Sequence, residues 1–384
     1  MKSRHAIPVI VIAELFGASL WFSINAVADA LHRAWGMTPV ELGYLTSAVQ
    51  LGFITGTLLF ALSGLADRFS ASRIFASCAL LGALVNAGFV SGDGELVSGV
   101  IFRFATGLAL AGIYPIGMKL VVSWEPGKAG NVLGWLVGML VLGSGLPHFI
   151  RGLNVTPNWQ AVIYTASALA AVAGLMVWWL GDGPHHGSSR TLQWGAALKV
   201  FTIPDFRAPA LGYFGHMWEL YAFYTITPLL IGHLGNGAAD HHIYLAASGV
   251  FLAGGVGCIG GGMVSHRLGS SRVAMIALTG SALCCLVYPW VSVLTFGAAL
   301  TLLFVWGCFV VTDSPQFSAL ASNACPPERV GGALALMNSI GFAITVVSIE
   351  LATLLWDSGR EYVSWLLLPG PVLGLLAMRR MWGK

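Results

Sequence analysis

Apolar residues run through this chain in long blocks, and most charged residues collect in the gaps between them. A helix needs about 20 apolar residues to cross a hydrocarbon layer. The blocks predict twelve helical spans of that kind: 8–30, 41–63, 74–91, 96–119, 129–151, 159–180, 207–231, 243–264, 273–291, 296–320, 332–355 and 361–378. Within lipid only helices or closed barrels satisfy the main chain, and these blocks are far too long for barrel strands. Most connections are short. The longest, 181–206, contains Gly-Asp-Gly-Pro-His-His-Gly-Ser-Ser-Arg, a polar run of the kind that joins domains. The expected fold class is therefore all-α: a polytopic membrane protein of two six-helix bundles, residues 1–180 and 207–384, joined by the linker 181–206.

The polar gaps also repeat. Gly64 to Arg73 reads G-L-A-D-R-F-S-A-S-R, and about 200 residues later Gly262 to Arg272 reads G-M-V-S-H-R-L-G-S-S-R. Arg267 matches Arg68, Ser271 matches Ser72 and Arg272 matches Arg73, while His266 stands in place of Asp67. At nearly the same offset Phe104, Gly107 and Pro115 match Phe304, Gly307 and Pro315, and P-G-K-A-G (126–130) matches P-E-R-V-G (327–331). Aligned prolines and basic loops point to duplication of one bundle, so the two halves are expected to be pseudo-symmetric.

Composition supports the membrane reading. The 384 residues are 57% hydrophobic and 9% charged, where a soluble domain carries about 25% charged residues. The 49 glycines suit close packing of membrane helices. The six cysteines (Cys78, Cys258, Cys284, Cys285, Cys308 and Cys325) lie in or beside apolar runs without zinc-like spacing. They read as small hydrophobes, and no metal or cofactor is expected. Lys2 and Arg4 before an apolar run, with Ala28-Asp29-Ala30 beyond it, imitate a signal peptide. The run has full span length and eleven more follow, so an uncleaved first helix is expected.

Basic residues set the orientation. With a cytoplasmic N-terminus, fifteen fall on or beside the cytoplasmic side: Lys2, Arg4, Arg68, Arg73, Lys119, Lys128, Arg190, Lys199, Arg207, Arg267, Arg272, Arg329, Arg379, Arg380 and Lys384. Only Arg33, Arg151 and Arg360 fall outside, and Arg103 lies within a span. Both termini, the linker and both charged repeats are expected in the cytoplasm of a bacterial inner membrane.

An ionisable side chain at a helix centre costs about 2.5–3.5 kcal/mol on insertion scales, so each one marks a candidate site. Glu14, Arg103, Glu219, Asp313 and Glu350 are the candidates, whereas spans 3, 6, 9 and 12 have no acidic or basic residue in their cores. Those four are expected to face lipid and the other eight to enclose a polar path. Helical spacing groups Glu14, Trp21 and Asn25 in span 1, with Asp29 at the edge of that stripe. It groups Thr46, Gln50, Phe53 and Thr57 in span 2, and Arg103, Gly107 and Tyr114 in span 4. In the second half it groups His216, Glu219, Phe223 and Thr227, then Trp306, Asp313, Gln316 and Phe317, then Asn338, Phe342 and Thr345. Such aromatic residues often only pack, and Asn25, Gln50 and Asn338 can equally bridge helices. Asp29, Arg151 and Glu350, near span ends, are expected to be solvated.

With these residues in hand the chain resembles the major facilitator superfamily over nearly its whole length. G-L-A-D-R-F-S-A-S-R resembles that family's loop signature between spans 2 and 3, with Gly64, Asp67, Arg68 and Arg73 in place and Ser70 where a second glycine is usual. I-F-R-F-A-T-G resembles its span 4 signature, with Arg103 and Gly107 matching and Thr106 replacing glutamine. Span 5 has Gly138, Gly143, Gly145 and Pro147, yet not the Gly-Pro order of the family's antiporter signature. The resemblance implies two six-helix domains, a central site and alternating access. It also places Asp67 near the start of span 11, as part of a cytoplasmic latch with Arg68 and Arg73; His266, Arg267 and Arg272 form the unequal counterpart.

The expected function is secondary active transport of a small organic solute, coupled to protons by a carboxyl that changes access. Glu219 is the first choice, with His216 on the same face, and Glu14 and Asp313 are alternatives. Arg103 would bind an anionic group of the solute or pair with Asp29 or another carboxylate, while Trp21, Phe223 and Trp306 would form apolar walls. A drug or metabolite efflux antiporter is the alternative. A sensor would need a large output domain or long tail. A membrane enzyme would need a catalytic or metal-ligand cluster; the pairs His185–His186 and His241–His242 do not make one. The chain has no nucleotide-binding loop, so ATP is not the expected energy source. Expected partners are the solute, protons and the lipid bilayer, with no nucleic acid, acting as a monomer.

Overall fold

The computed structural model describes residues 2–92, 94–125, 129–154, 158–185, 198–235, 239–326, 330–360 and 362–382, and of residues 2–4, 66–67 and 129–131 the main chain alone. The described residues form helices and turns with no strand, and they divide into two compact units, Met1–Leu192 and Gln193–Lys384.

The first unit contains α1 (Lys2–Ala18), α2 (Ala28–Trp35), α3 (Pro39–Ser63), α4 (Ala71–Gly88), α5 (Leu96–Leu110), α6 (Tyr114–Trp124), α7 (Ala129–Gly152) and α8 (Trp159–Leu180). The second contains α9 (Pro204–Leu234), α10 (Asp240–Leu268), α11 (Ser270–Val287), α12 (Phe296–Thr312), α13 (Ser314–Asn323), α14 (Val330–Leu354), α15 (Val363–Leu367) and α16 (Pro369–Met378). Among the described residues nine helical segments are long and apolar enough to cross a membrane. The three predicted spans outside that set have physical reasons. Span 1 stops as a regular helix at Ala18 and span 12 is interrupted at Leu368, before Pro369, while α9 is 31 residues long but carries Asp205, Arg207, His216, Glu219 and His233.

Local chemistry sets several boundaries. Thr38 caps α3 and forms a reciprocal capping box with Glu41, and Pro39 occupies the first turn, where its missing N–H costs nothing. The same helix ends at Gly64, whose φ of +65° suits a residue without Cβ. Spans 4 and 10 both break just before their matched prolines. Residues 111–113 separate α5 from α6 ahead of Pro115, and Asp313 separates α12 from α13 ahead of Pro315. Proline lacks the N–H that would continue the ladder, so both helices tighten and restart.

The duplication is also visible where helices cross. In the first unit α3 packs closely on α5, and a Cβ added at Gly107 would lie 2.1 Å from the carbonyl oxygen of Val49. In the second α10 packs on α12, and a Cβ at Gly307 would lie 2.7 Å from that of Val250. The matched glycines thus let main chains touch at corresponding crossings. The charged repeats differ more than their sequences suggest. α10 runs through Gly262, His266 and Arg267 to Leu268, and the left-handed turn falls at Gly269, with φ +85°.

Arg68, Arg73, His266, Arg267 and Arg272 are exposed. The Asp67 side chain lies outside the described residues, as do Lys128, Arg190 and Arg329. The main-chain N–H of Ser72, at the start of α4, instead donates to Asp182 beyond the end of α8, at 2.7 Å. A carboxylate at a helix N-terminus is favoured by the unpaired N–H groups and the dipole there.

Candidate functional site

In the second unit α9 carries His216 and Glu219 one turn apart, both buried. Three donors converge on Oε1 of Glu219: the Ser281 hydroxyl at 2.5 Å, the Trp306 indole N–H at 2.6 Å and the Cys285 thiol at 3.2 Å. Ser281 and Cys285 are four residues apart on α11 and therefore share a face. All three donors are neutral, so Glu219 can take up a proton without breaking an ion pair. Phe223 packs on Trp306 in a tilted pair with ring centres 4.4 Å apart, and Tyr288 approaches Trp306 to 5.7 Å, which lines the cluster with aromatic surface.

His216 turns to a different acid from the one beside it in sequence. Its Nδ1 lies 2.8 Å from Oδ1 of Asp313, an ion-pair distance when the ring is protonated, although the two groups are not aligned for a straight hydrogen bond. The break before Pro315 places Asp313 immediately ahead of α13, so that acid faces the histidine from between two helices. Tyr213 and Phe317 flank the imidazole, with ring centres 5.8 and 6.0 Å away.

In the first unit the predicted stripe of Glu14, Trp21 and Asn25 is not one helical face, because α1 ends at Ala18 and residues 19–24 are irregular. The turn redirects the side chains. Trp21 donates its indole N–H to Gln50 at 3.1 Å and packs on Phe53, with ring centres 5.0 Å apart, and Asn25 donates to Thr46 at 3.0 Å. The predicted stripe on α3 is therefore the surface that receives the broken segment. Glu14 stays on α1, fully buried, with no hydrogen-bond partner for either carboxyl oxygen among the described residues. It faces α6: a Cβ at Gly117 would lie 2.6 Å from its Oε2.

Arg103 departs most from expectation. It forms no bond with Asp29, which pairs with Arg33 and, at 3.0 Å, with Arg151. Asp29 and Arg151 are accordingly mostly buried rather than solvated. The guanidinium of Arg103 donates to the carbonyl of Leu20 at 3.1 Å, that of Trp21 at 2.5 Å, the Ser23 hydroxyl at 3.3 Å and the Asn86 amide oxygen at 3.0 Å. Asn86 in turn accepts from Ser23 at 2.8 Å and donates to Ser167 at 3.0 Å.

Sequence reasoning missed Ser23, Asn86, Ser167, Ser281 and Cys285. Spans 3, 6 and 9 lack charge, yet Asn86 of span 3 binds Arg103, Ser281 and Cys285 of span 9 bind Glu219, and Ser167 of span 6 anchors Asn86. Leu84, Leu175 and Leu283 show that they also keep an exposed apolar face. Asn86, an amide inside an apolar run, was the available signal. Cys285 corrects the reading of the cysteines as hydrophobes alone, and Trp306 is a donor as well as a wall. Phe223 remains packing. Asn338 is half-buried and makes no side-chain hydrogen bond among the described residues, which also hold no cluster of metal-ligating side chains.

A duplicated all-α membrane scaffold with ionisable groups buried in both units defines a polytopic carrier-like class. Its family follows from comparison: the Major Facilitator Superfamily model matches residues 10–348, and the chain belongs to that family. It is 32% identical over 136 residues to the niacin transporter NiaP of Acinetobacter baylyi, covering 33% of this chain and 30% of that one. It is 28% identical over 201 residues to a Bacillus subtilis protein named for niacin or nicotinamide transport, covering 49% and 47%. The 4-hydroxybenzoate transporter PcaK of Pseudomonas putida is 28% identical over 173 residues, covering 41% and 35%. The matched stretches thus span about half or less of these relatives' length. The xylose transporter XylE of E. coli shares the fold, with a TM-score of 0.78 at 13% identity over 99% of this chain and 97% of that one.

Proposed function

We propose that the chain is a secondary active transporter that moves a small organic solute by alternating access and couples it to protons through Glu219. The observation that carries this is the Glu219 cluster. A carboxyl is buried in a membrane unit, held by three neutral donors, and sits one turn from a second acid–base pair formed by His216 and Asp313. An intramembrane carboxyl without a fixed cation is a group that can load and release a proton as access changes. Glu14, buried and without a hydrogen-bond partner among the described residues, is the corresponding acid of the first unit. The relatives named for niacin and for 4-hydroxybenzoate supply the solute class: small planar aromatic acids or their amides. The protein acts as a monomer in a bacterial inner membrane with both termini cytoplasmic.

The test is transport in proteoliposomes holding an imposed pH gradient, with radiolabelled nicotinate and 4-hydroxybenzoate as probes and a pH dye to follow protons. Solute flux accompanied by proton flux is expected, and Glu219→Gln should leave exchange of solute intact while abolishing its response to the gradient. A Glu219→Gln protein that still accumulates solute against its gradient at the normal rate would remove Glu219 from the coupling role.

A further inference from the structure

The oxygens around Arg103 form a set of their own. Two main-chain carbonyls, a hydroxyl and an amide oxygen all point at one cation, and none of them belongs to a carboxylate. The chain leaves the regular helix at residues 19–24, and there the Trp21 carbonyl and the Leu20 carbonyl, which also accepts from the Ser23 hydroxyl at 3.2 Å, turn to the guanidinium. In carriers with interrupted helices, carbonyls released in this way coordinate the driving cation. Here they are already taken.

We infer that Arg103 is a tethered cation: it occupies an oxygen cage that would otherwise suit a small inorganic cation, and it thereby fixes the broken turn that presents Trp21 and Asn25 to Gln50 and Thr46. Three features argue for this over a solute-binding role. The side chain is fully buried. Its two terminal nitrogens make four hydrogen bonds within the first unit, and no carboxylate is among their acceptors. The acceptors come from two separate chain segments, residues 20–23 and Asn86, and Asn86 is itself anchored to Ser167 on α8. A planar guanidinium with five donors spans such a divided set, whereas an ammonium is a single point. Arg103 is therefore a positioning residue for span 1. While the guanidinium fills these oxygens they offer sodium no site. The inference concerns the empty carrier and stands apart from the transport reading.

Hydrogen exchange of the purified full-length protein, without any solute, tests it. Peptides covering residues 16–27 should exchange at least about tenfold faster in Arg103→Met than in the parent, with Arg103→Lys between them, because charge without the planar fork restores part of the cage. Exchange in α7 should stay unchanged. In Arg103→Ala, guanidinium chloride should return protection to the same peptides while sodium chloride does not. The parent should melt at the same temperature in equal concentrations of sodium and potassium chloride. Equal exchange in the Lys and Met variants would reduce Arg103 to packing and overturn the inference. A folded Arg103→Ala that guanidinium does not protect, or a sodium-specific rise in the parent's melting temperature, would do the same. If the Ala variant does not fold, the Lys–Met comparison decides alone.

Discussion

Changing Trp306 to Phe keeps an aromatic ring against Phe223 and removes one donor from Glu219, so it isolates the indole bond. At 2.6 Å that bond is short, and it lies among fully buried groups. A hydrogen bond to a charged acceptor contributes about 1.5–3 kcal/mol and one to a neutral acceptor about 0.5–1.5 kcal/mol. Glu219→Gln keeps size and an acceptor oxygen while removing the charge. In a double-mutant cycle of Trp306→Phe with Glu219→Gln, the packing lost with the second indole ring appears on both sides and cancels. What remains is the difference between a charged and a neutral acceptor, about 1 kcal/mol. Equilibrium unfolding in mixed detergent micelles near neutral pH measures all four proteins. A coupling of about 1 kcal/mol would show that the carboxylate form of Glu219 is the one these donors hold. A value below about 0.5 kcal/mol, no larger than the usual additivity error, would refute that assignment.

Gly107→Val should prevent the first unit from assembling, since its Cβ would meet the Val49 carbonyl, while Gly297→Ala, with nothing within 4 Å, should be silent; monodispersity on size exclusion separates the two. Asp182→Ala should cost about 0.5–2 kcal/mol by uncapping α4, seen as a lower melting temperature and faster exchange at Ser72; an unchanged amide there would count against the cap. Glu14→Met should stabilise the protein by about 1–3 kcal/mol, because it removes a buried carboxyl that has no hydrogen bond among the described residues. A lower melting temperature in that variant would mean that Glu14 holds the structure together in a way its surroundings do not show.

Much of the architecture was written in the hydrophobic pattern, because crossing a membrane imposes a length that few other structures need. The matched Pro115 and Pro315 and the matched Gly107 and Gly307 anticipated the paired breaks and crossings for similarly direct reasons: one residue type lacks a donor and the other lacks a side chain. The site was legible only in part. Charge inside a span announced Glu219, Asp313, Glu14 and Arg103, but not their partners, which depend on neighbours distant in sequence. The pairing of His216 with Asp313 rather than its closeness to Glu219, and the grip of Arg103 on carbonyls rather than on Asp29, follow from helix interruptions. Residues 19–24 contain neither proline nor glycine to announce one.

Span 9 joins two environments that a carrier normally keeps apart. On one side of α11, Ser281 and Cys285 hold the Glu219 carboxyl; on the other, Ile276, Leu283 and Leu286 lie exposed as a greasy outer surface. A single helix thickness separates acyl chains from the acid. Hydrophobic mismatch, which tilts membrane helices, would move Ser281 and Cys285 and with them the bonds they make to that carboxyl.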